Sequence, residues 1–173
     1  MSNSYINLAK QAIETYVKTG KIIDVPKDLP EEFYSRQAGV FVTIKKGKEL
    51  KGCIGTYLPT RKNIAEEIIS NAISSCSQDY RFLPVDKEEL SELNYEVSIL
   101  SEPEQIKEIK ELDAKKYGVL VKTQDGRSGL LLPDLEGVDT PHQQVSIACR
   151  KGGINPEKDE IILYRFRVEK YSD

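Results

Sequence analysis

The residues best equipped for chemistry lie in the stretch LKGCIGTYLPT, Leu50 to Thr60. Cys53 stands there between Gly52 and Gly55, two positions after Lys51. A cysteine attacks or donates sulfur as the thiolate, and a nearby lysine or helix N-terminus favours that form. Read as a strand, the stretch puts Leu50, Gly52 and Ile54 on one face and Lys51, Cys53 and Gly55 on the other. The thiol then falls on the more polar face, with glycines that let a ligand or another backbone approach closely. A helix is expected shortly downstream, capped by Thr60 or Asn63, with Glu66 completing a pair with Asn63. Against chemistry stands the usual behaviour of cysteine as a small, buried, inert hydrophobe. No general base is placed beside Cys53, and the single histidine, His142, belongs to a helix cap. His142, Val145 and Cys149 share one helix face, a packing pattern.

Two further groups carry polar chemistry. SQDYRFLPV places Asp79 and Arg81 just past a helix end, where arginine binds terminal carbonyls or an anion. Glu96 and Ser98 share the polar face of the strand LNYEVSIL, where the plain alternative is a solvated surface. Cys53 and Glu96 are thus the candidate catalytic residues, with Lys51 a second acid–base candidate. Lys51, Gly52, Gly55, Arg81 and Ser98 are the candidate ligand contacts, and the set is expected to converge on one cleft. No metal or cofactor site is expected, since C-x-x-C and H-x-x-x-H spacings are absent. The glycines of GRSG and KGGINP lack the strand and helix context of a phosphate loop. KKGKELK reads as a solvated hairpin.

These residues need a scaffold, and the periodicities supply one. Tyr5, Leu8, Ala9, Ala12, Ile13, Tyr16 and Val17 predict a helix over residues 4–19, stopped by Gly20. Val25 to Gln37, with two prolines, reads as an irregular connection holding a turn of helix. GVFVTI alternates as a strand, KKGKE turns, and residues 49–55 return. Ile64, Ala65, Ile68, Ile69, Ala72, Ile73 and Cys76 form one apolar stripe of a helix over 61–77. YGVLVKTQDGRSGLLLP is a hairpin around Asp-Gly. Thr140, Pro141 and Gln143 open a helix running to Lys151, ended by two glycines. EIILYRFRVEKY closes the chain as one strand. Hairpins mixed with helices, without βαβ alternation, predict an α+β fold with a mainly antiparallel sheet. Both hairpins and the 93–100 strand are expected in one sheet against the 61–77 helix. No internal repeat stands out.

The bulk properties agree. A chain of 173 residues, 39% hydrophobic and 31% charged, suits one globular domain over residues 1–173. A net charge of −3 and the lack of interleaved aromatic and basic residues argue against a nucleic-acid partner. No signal peptide or membrane-spanning run is read, so a cytoplasmic location is expected. The three cysteines, odd in number and dispersed, suit a reducing compartment without disulfides. Cys76 and Cys149 lie on apolar stripes and read as core.

LKGCIGTY resembles the Leu-Arg-Gly-Cys-Ile-Gly signature of the AMME chromosomal-region domain family, system A of the AmmeMemoRadiSam set, with Lys51 where arginine is usual. DYRFLPVDKEELSELNYEVSIL is similar to its Asp-x-Arg-Phe-x-Pro and Glu-Val-Ser segments, and GLLLP and CRKGGI to two later landmarks. The resemblance implies a cytosolic α+β domain with two unequal lobes and an association with Memo-like and radical S-adenosylmethionine proteins. It implies no particular reaction. At Lys51 the substitution would keep the charge but lose any bidentate anion contact. Two readings follow: a module binding a small molecule or protein, or an enzyme using Cys53 as nucleophile or thiol donor. The lack of a base beside Cys53 favours the binding module.

Overall fold

The computed structural model describes residues 3–173. The chain divides into two compact units, one of residues up to Leu100 with Glu169–Asp173, the other Ser101–Val168.

The first unit opens with α1 (Ser4–Thr19), whose first turn is capped by the Asn3 side chain accepting the Tyr5 N–H at 2.9 Å. Gly20 ends it with φ 73°, a conformation that only glycine adopts without strain. After the one-turn α2 (Glu32–Ser35) come β1 (Gly39–Lys46), β2 (Glu49–Gly55), α3 (Ile64–Ser77) and β3 (Leu93–Leu100). Val40, Val42 and Ile44 of β1 and Tyr95, Val97 and Ile99 of β3 are buried with the expected stripe of α3 and the inner face of α1. That shared apolar face supplies the unit's main stabilisation.

The second unit holds β4 (Glu104–Ile106), β5 (Gly118–Thr123), β6 (Ser128–Leu131), α4 (Pro141–Lys151) and β7 (Ile161–Phe166). Its core joins Val119, Val121 and Leu163 to Val145, Ala148 and Cys149 of α4. Thr140 and Gln143 form the expected capping box: the Thr140 hydroxyl accepts the Gln143 N–H at 3.2 Å, and the Gln143 carbonyl accepts the Thr140 N–H at 3.0 Å. The chain then returns to the first unit as β8 (Val168–Ser172).

The fold is α+β, but with two four-stranded sheets, ordered β2-β1-β3-β8 and β4-β7-β5-β6. The expected single sheet is therefore corrected: the 118–131 hairpin pairs with β7 instead of joining β1 and β3. The closing strand is likewise two strands that break at Arg167 and pair in different sheets. Alternation tells which face of a strand is apolar, and not which apolar face it meets.

Each unit also repeats one arrangement, hairpin, helix, strand, with the second hairpin strand at the edge and the third element's strand beside the first. GVFV in β1 answers GVLV in β5, and a glycine in each second strand lies under its helix. A Cβ at Gly52 would overlap the Ser75 carbonyl oxygen, and one at Gly129 would overlap that of Ala148. The Asn71 and Gln144 amides each donate from these helices to a backbone carbonyl at the start of the first strand, Val40 at 2.9 Å and Tyr117 at 2.7 Å. Few side chains are shared, so the repeat is legible in contacts and hidden in composition. Among the described residues no helix is long and apolar enough to cross a membrane.

Candidate functional site

Cys53 lies on β2, the edge strand of the first sheet, directly opposite Thr43 of β1. Its backbone points away from β1. The Cys53 N–H donates to an Asp79 carboxylate oxygen at 2.9 Å, and its carbonyl accepts an Arg81 guanidinium N–H at 3.2 Å. Thr43 and Cys53 therefore form the close, non-hydrogen-bonded type of cross-strand pair. The Thr43 hydroxyl and the thiol stand 3.2 Å apart. Two polar groups of the edge that would otherwise offer a template for another strand are thus occupied.

Asp79 and Arg81 do this from the turn that follows α3. Arg81 grips the Asp79 carboxylate with two nitrogens, Nε at 2.9 Å and Nη2 at 2.8 Å. The Arg81 hydrogen bonds hold the Asp79 carboxyl well below the usual carboxylate range, at about 2, aided by the Cys53 N–H against the opposing cost of burial. The turn is pinned by Phe82 N–H to the Asp79 carbonyl at 3.0 Å and Val85 N–H to the Cys76 carbonyl at 2.8 Å. The Arg81 guanidinium also rides 5.2 Å from the Phe82 ring centroid. Between the anchors two apolar side chains remain in solvent, Tyr80 at 95% and Leu83 at 84% exposure.

The expected convergence is partial. Arg81 and Cys53 meet through backbone and carboxylate. Glu96 lies on the same sheet face but opposite Thr43 from the β3 side, so Thr43 separates it from Cys53. Burial pushes the Glu96 carboxyl up, but bonds to Lys45 at 2.9 Å and Lys170 at 3.2 Å outweigh it and hold the group below its ordinary range. Ser98, opposite Phe41, is buried.

Lys51 departs from the expected parity. Ile44 pairs with Gly52 and Lys45 with Leu50, leaving Lys51 as an extra, bulged residue. The bulge moves Leu50 onto the Cys53 face and sends the Lys51 ammonium to Glu89 at 3.0 Å. Glu89, its carboxyl held down first by the Asp86 N–H and then by Lys51, also faces Lys46 at 3.9 Å. The space beside Gly52 and Gly55 is filled by the chain itself, by the Ser75 carbonyl and the Phe41 ring.

The anticipated helix start is not beside the thiol either. Asn63 does cap α3, accepting the Glu66 N–H at 2.9 Å. Yet it is the far end of α3 that reaches Cys53, where the Ser75 hydroxyl bridges the Ile54 N–H at 3.0 Å and the Val42 carbonyl at 2.7 Å. The rest of the TYLPTR loop is organised by buried Glu67, which accepts from both Thr56 and Thr60 hydroxyls and from the Thr60 and Arg61 N–H groups. Thr43, Glu67, Tyr80 and Leu83 were not singled out by the residue patterns. For Tyr80 and Leu83 a signal existed: apolar residues just past a helix end, outside any periodic stripe. Among the described residues no cluster of three His, Cys, Asp or Glu could hold a metal ion.

The chain is similar to other proteins over nearly its whole length. A protein of Thermotoga maritima is 51% identical over 168 residues, covering 96% of either chain. Protein CA_C1420 of Clostridium acetobutylicum is 44% identical over 98% of this chain, which spans 36% of that longer protein. The crystal structure of protein PH0010 from Pyrococcus horikoshii superposes with a TM-score of 0.89 at 34% identity, covering 98% of this chain and 89% of that one. The AMMECR1 family model matches residues 6–171, through both units and every motif around Cys53. This chain belongs to the AMMECR1 family.

Proposed function

We propose that this protein is a non-catalytic recognition module and that the Asp79–Pro84 turn is its principal contact with a partner protein. The observation that carries this reading is the nearly full exposure of Tyr80 and Leu83 on a turn locked at both ends. Interface hot spots favour tyrosine and arginine, and a preordered turn loses little conformational entropy on binding. Side chains this exposed suit contact with a protein surface better than enclosure of a small molecule. The family resemblance supplies the candidates, a Memo-like protein or a radical S-adenosylmethionine enzyme. In this reading Cys53 and Arg81 set the turn in place, and the protein acts where such a system works, in the cytoplasm.

The enzyme reading, with Cys53 attacking and Glu96 or Lys51 moving protons, finds less support. A general base must lie within hydrogen-bond reach of the proton it removes, about 2.6–3.2 Å. Thr43 stands between Glu96 and the thiol, and Lys51 is turned to Glu89. Calorimetric titration of the purified Memo-like and radical S-adenosylmethionine proteins of the same organism into this protein tests the proposal. Saturable binding to one of them is expected; no binding to either refutes the partner assignment.

A further inference from the structure

A second surface of the first unit has a different character. Lys21 to Pro26 runs without turn or bend between α1 and α2, and its side chains alternate: Ile22 and Asp24 exposed, Ile23 and Val25 half-buried. Ile23 and Val25 pack against the core, while Ile22 is 67% exposed. Alternation along a straight chain is the signature of a strand. Yet among the described residues the backbone groups of Ile22, Ile23, Asp24 and Val25 make no hydrogen bond. The segment is strand-like and has no neighbouring strand.

Beside it lies a groove of about 500 Å³ between this segment and α3, floored by Ile69 and Ile73. Its rim carries Asp24, Glu66 and Arg61, and the Arg61 guanidinium donates to the Ser70 hydroxyl at 3.2 Å. A volume in the range of about 300–1,000 Å³ is typical of ligand sites. The unpaired backbone narrows the occupant. Only another extended polypeptide offers donors and acceptors at the matching spacing while placing alternate side chains into a groove. Two carboxylates against one guanidinium on the rim favour basic residues in the outward positions.

We infer that Ile22–Val25 is a docking strand. An extended segment of a partner protein, alternating apolar and basic residues, pairs along its backbone and sets apolar side chains over Ile69 and Ile73. The groove reaches Gln78, the residue before Asp79, but the inference does not depend on the Tyr80 turn.

The probe is a hexapeptide alternating valine with lysine, titrated into isotopically labelled protein and followed by amide NMR. The protein's amides at Ile22–Val25 should shift and gain protection from hydrogen exchange. A peptide with its inward-pairing amides N-methylated should bind about tenfold more weakly or worse, having lost its backbone donors. Ser70→Trp, which fills the groove from a half-buried position on α3, should abolish the shifts while leaving the Tm within a few degrees. The inference is overturned by equal binding of the N-methylated peptide, which would indicate a purely apolar pocket. It is equally overturned by concentration-dependent shifts without peptide, which would indicate a second copy, or by no response at millimolar peptide.

Discussion

The Asp79 carboxylate accepts the backbone N–H of Cys53 at 2.9 Å, joining the turn after α3 to the edge of the first sheet. The motif cysteine is thereby tied by its backbone, while its side chain faces Thr43. The acidic residue carries an acid-sensitive part of the stability. Its pKa is depressed when folded, so the contribution is present above the unfolded carboxylate range near 4 and is lost as pH falls through about 2. The link is worth roughly 2 kcal/mol, because the carboxylate is almost fully buried although Arg81 is half exposed. Asp79→Ala should therefore unfold at lower denaturant concentration at pH 7, and its deficit relative to wild type should shrink towards pH 2.

Gly52 is required for the close approach of α3 to β2, since any Cβ would meet the Ser75 carbonyl. Gly52→Ala should cost about 1–3 kcal/mol or more, read by urea denaturation. Gly129→Ala should do the same beneath Ala148. A neutral Gly52→Ala would mean that the glycine leaves room for a ligand instead.

The cysteines should separate by reactivity. Cys76 and Cys149 are buried, and burial pushes the Cys76 thiol up to about 11 and that of Cys149 in the same direction. Brief iodoacetamide treatment of the native protein, followed by peptide mass spectrometry, should label half-buried Cys53 first. Because Lys51 is bonded to Glu89, Lys51→Met should leave the Cys53 rate within about twofold. A large fall in that rate would restore the lysine to the thiol's surroundings.

A feature is legible in the sequence to the extent that its causes are local. The Thr140 cap, the Gly20 stop and the α3 stripe are set by neighbours within a few residues, and they were legible. Helix α3 begins at Ile64, later than residue 61, because Thr60 and Arg61 give their N–H groups to Glu67. The Lys51 bulge was not legible, since strict alternation hides one extra residue and reverses the inferred face. Nor was the split into two sheets, because the apolar faces of β1 and β5 look alike. Within the site, Asp79 and Arg81 were visible as a pair past a helix end, but their target, the Cys53 backbone, lies 26 residues from Asp79.

In the proposed function Tyr80 and Leu83 are the side chains that meet a protein partner. The most direct measurement is calorimetric titration of the Memo-like and radical S-adenosylmethionine proteins into wild type and the Tyr80→Ala/Leu83→Ala double variant. The double variant should lose at least about tenfold in affinity, about 1.4 kcal/mol. Its Tm should be unchanged, because both side chains stand in solvent. Undiminished binding by a variant that folds as wild type would contradict it.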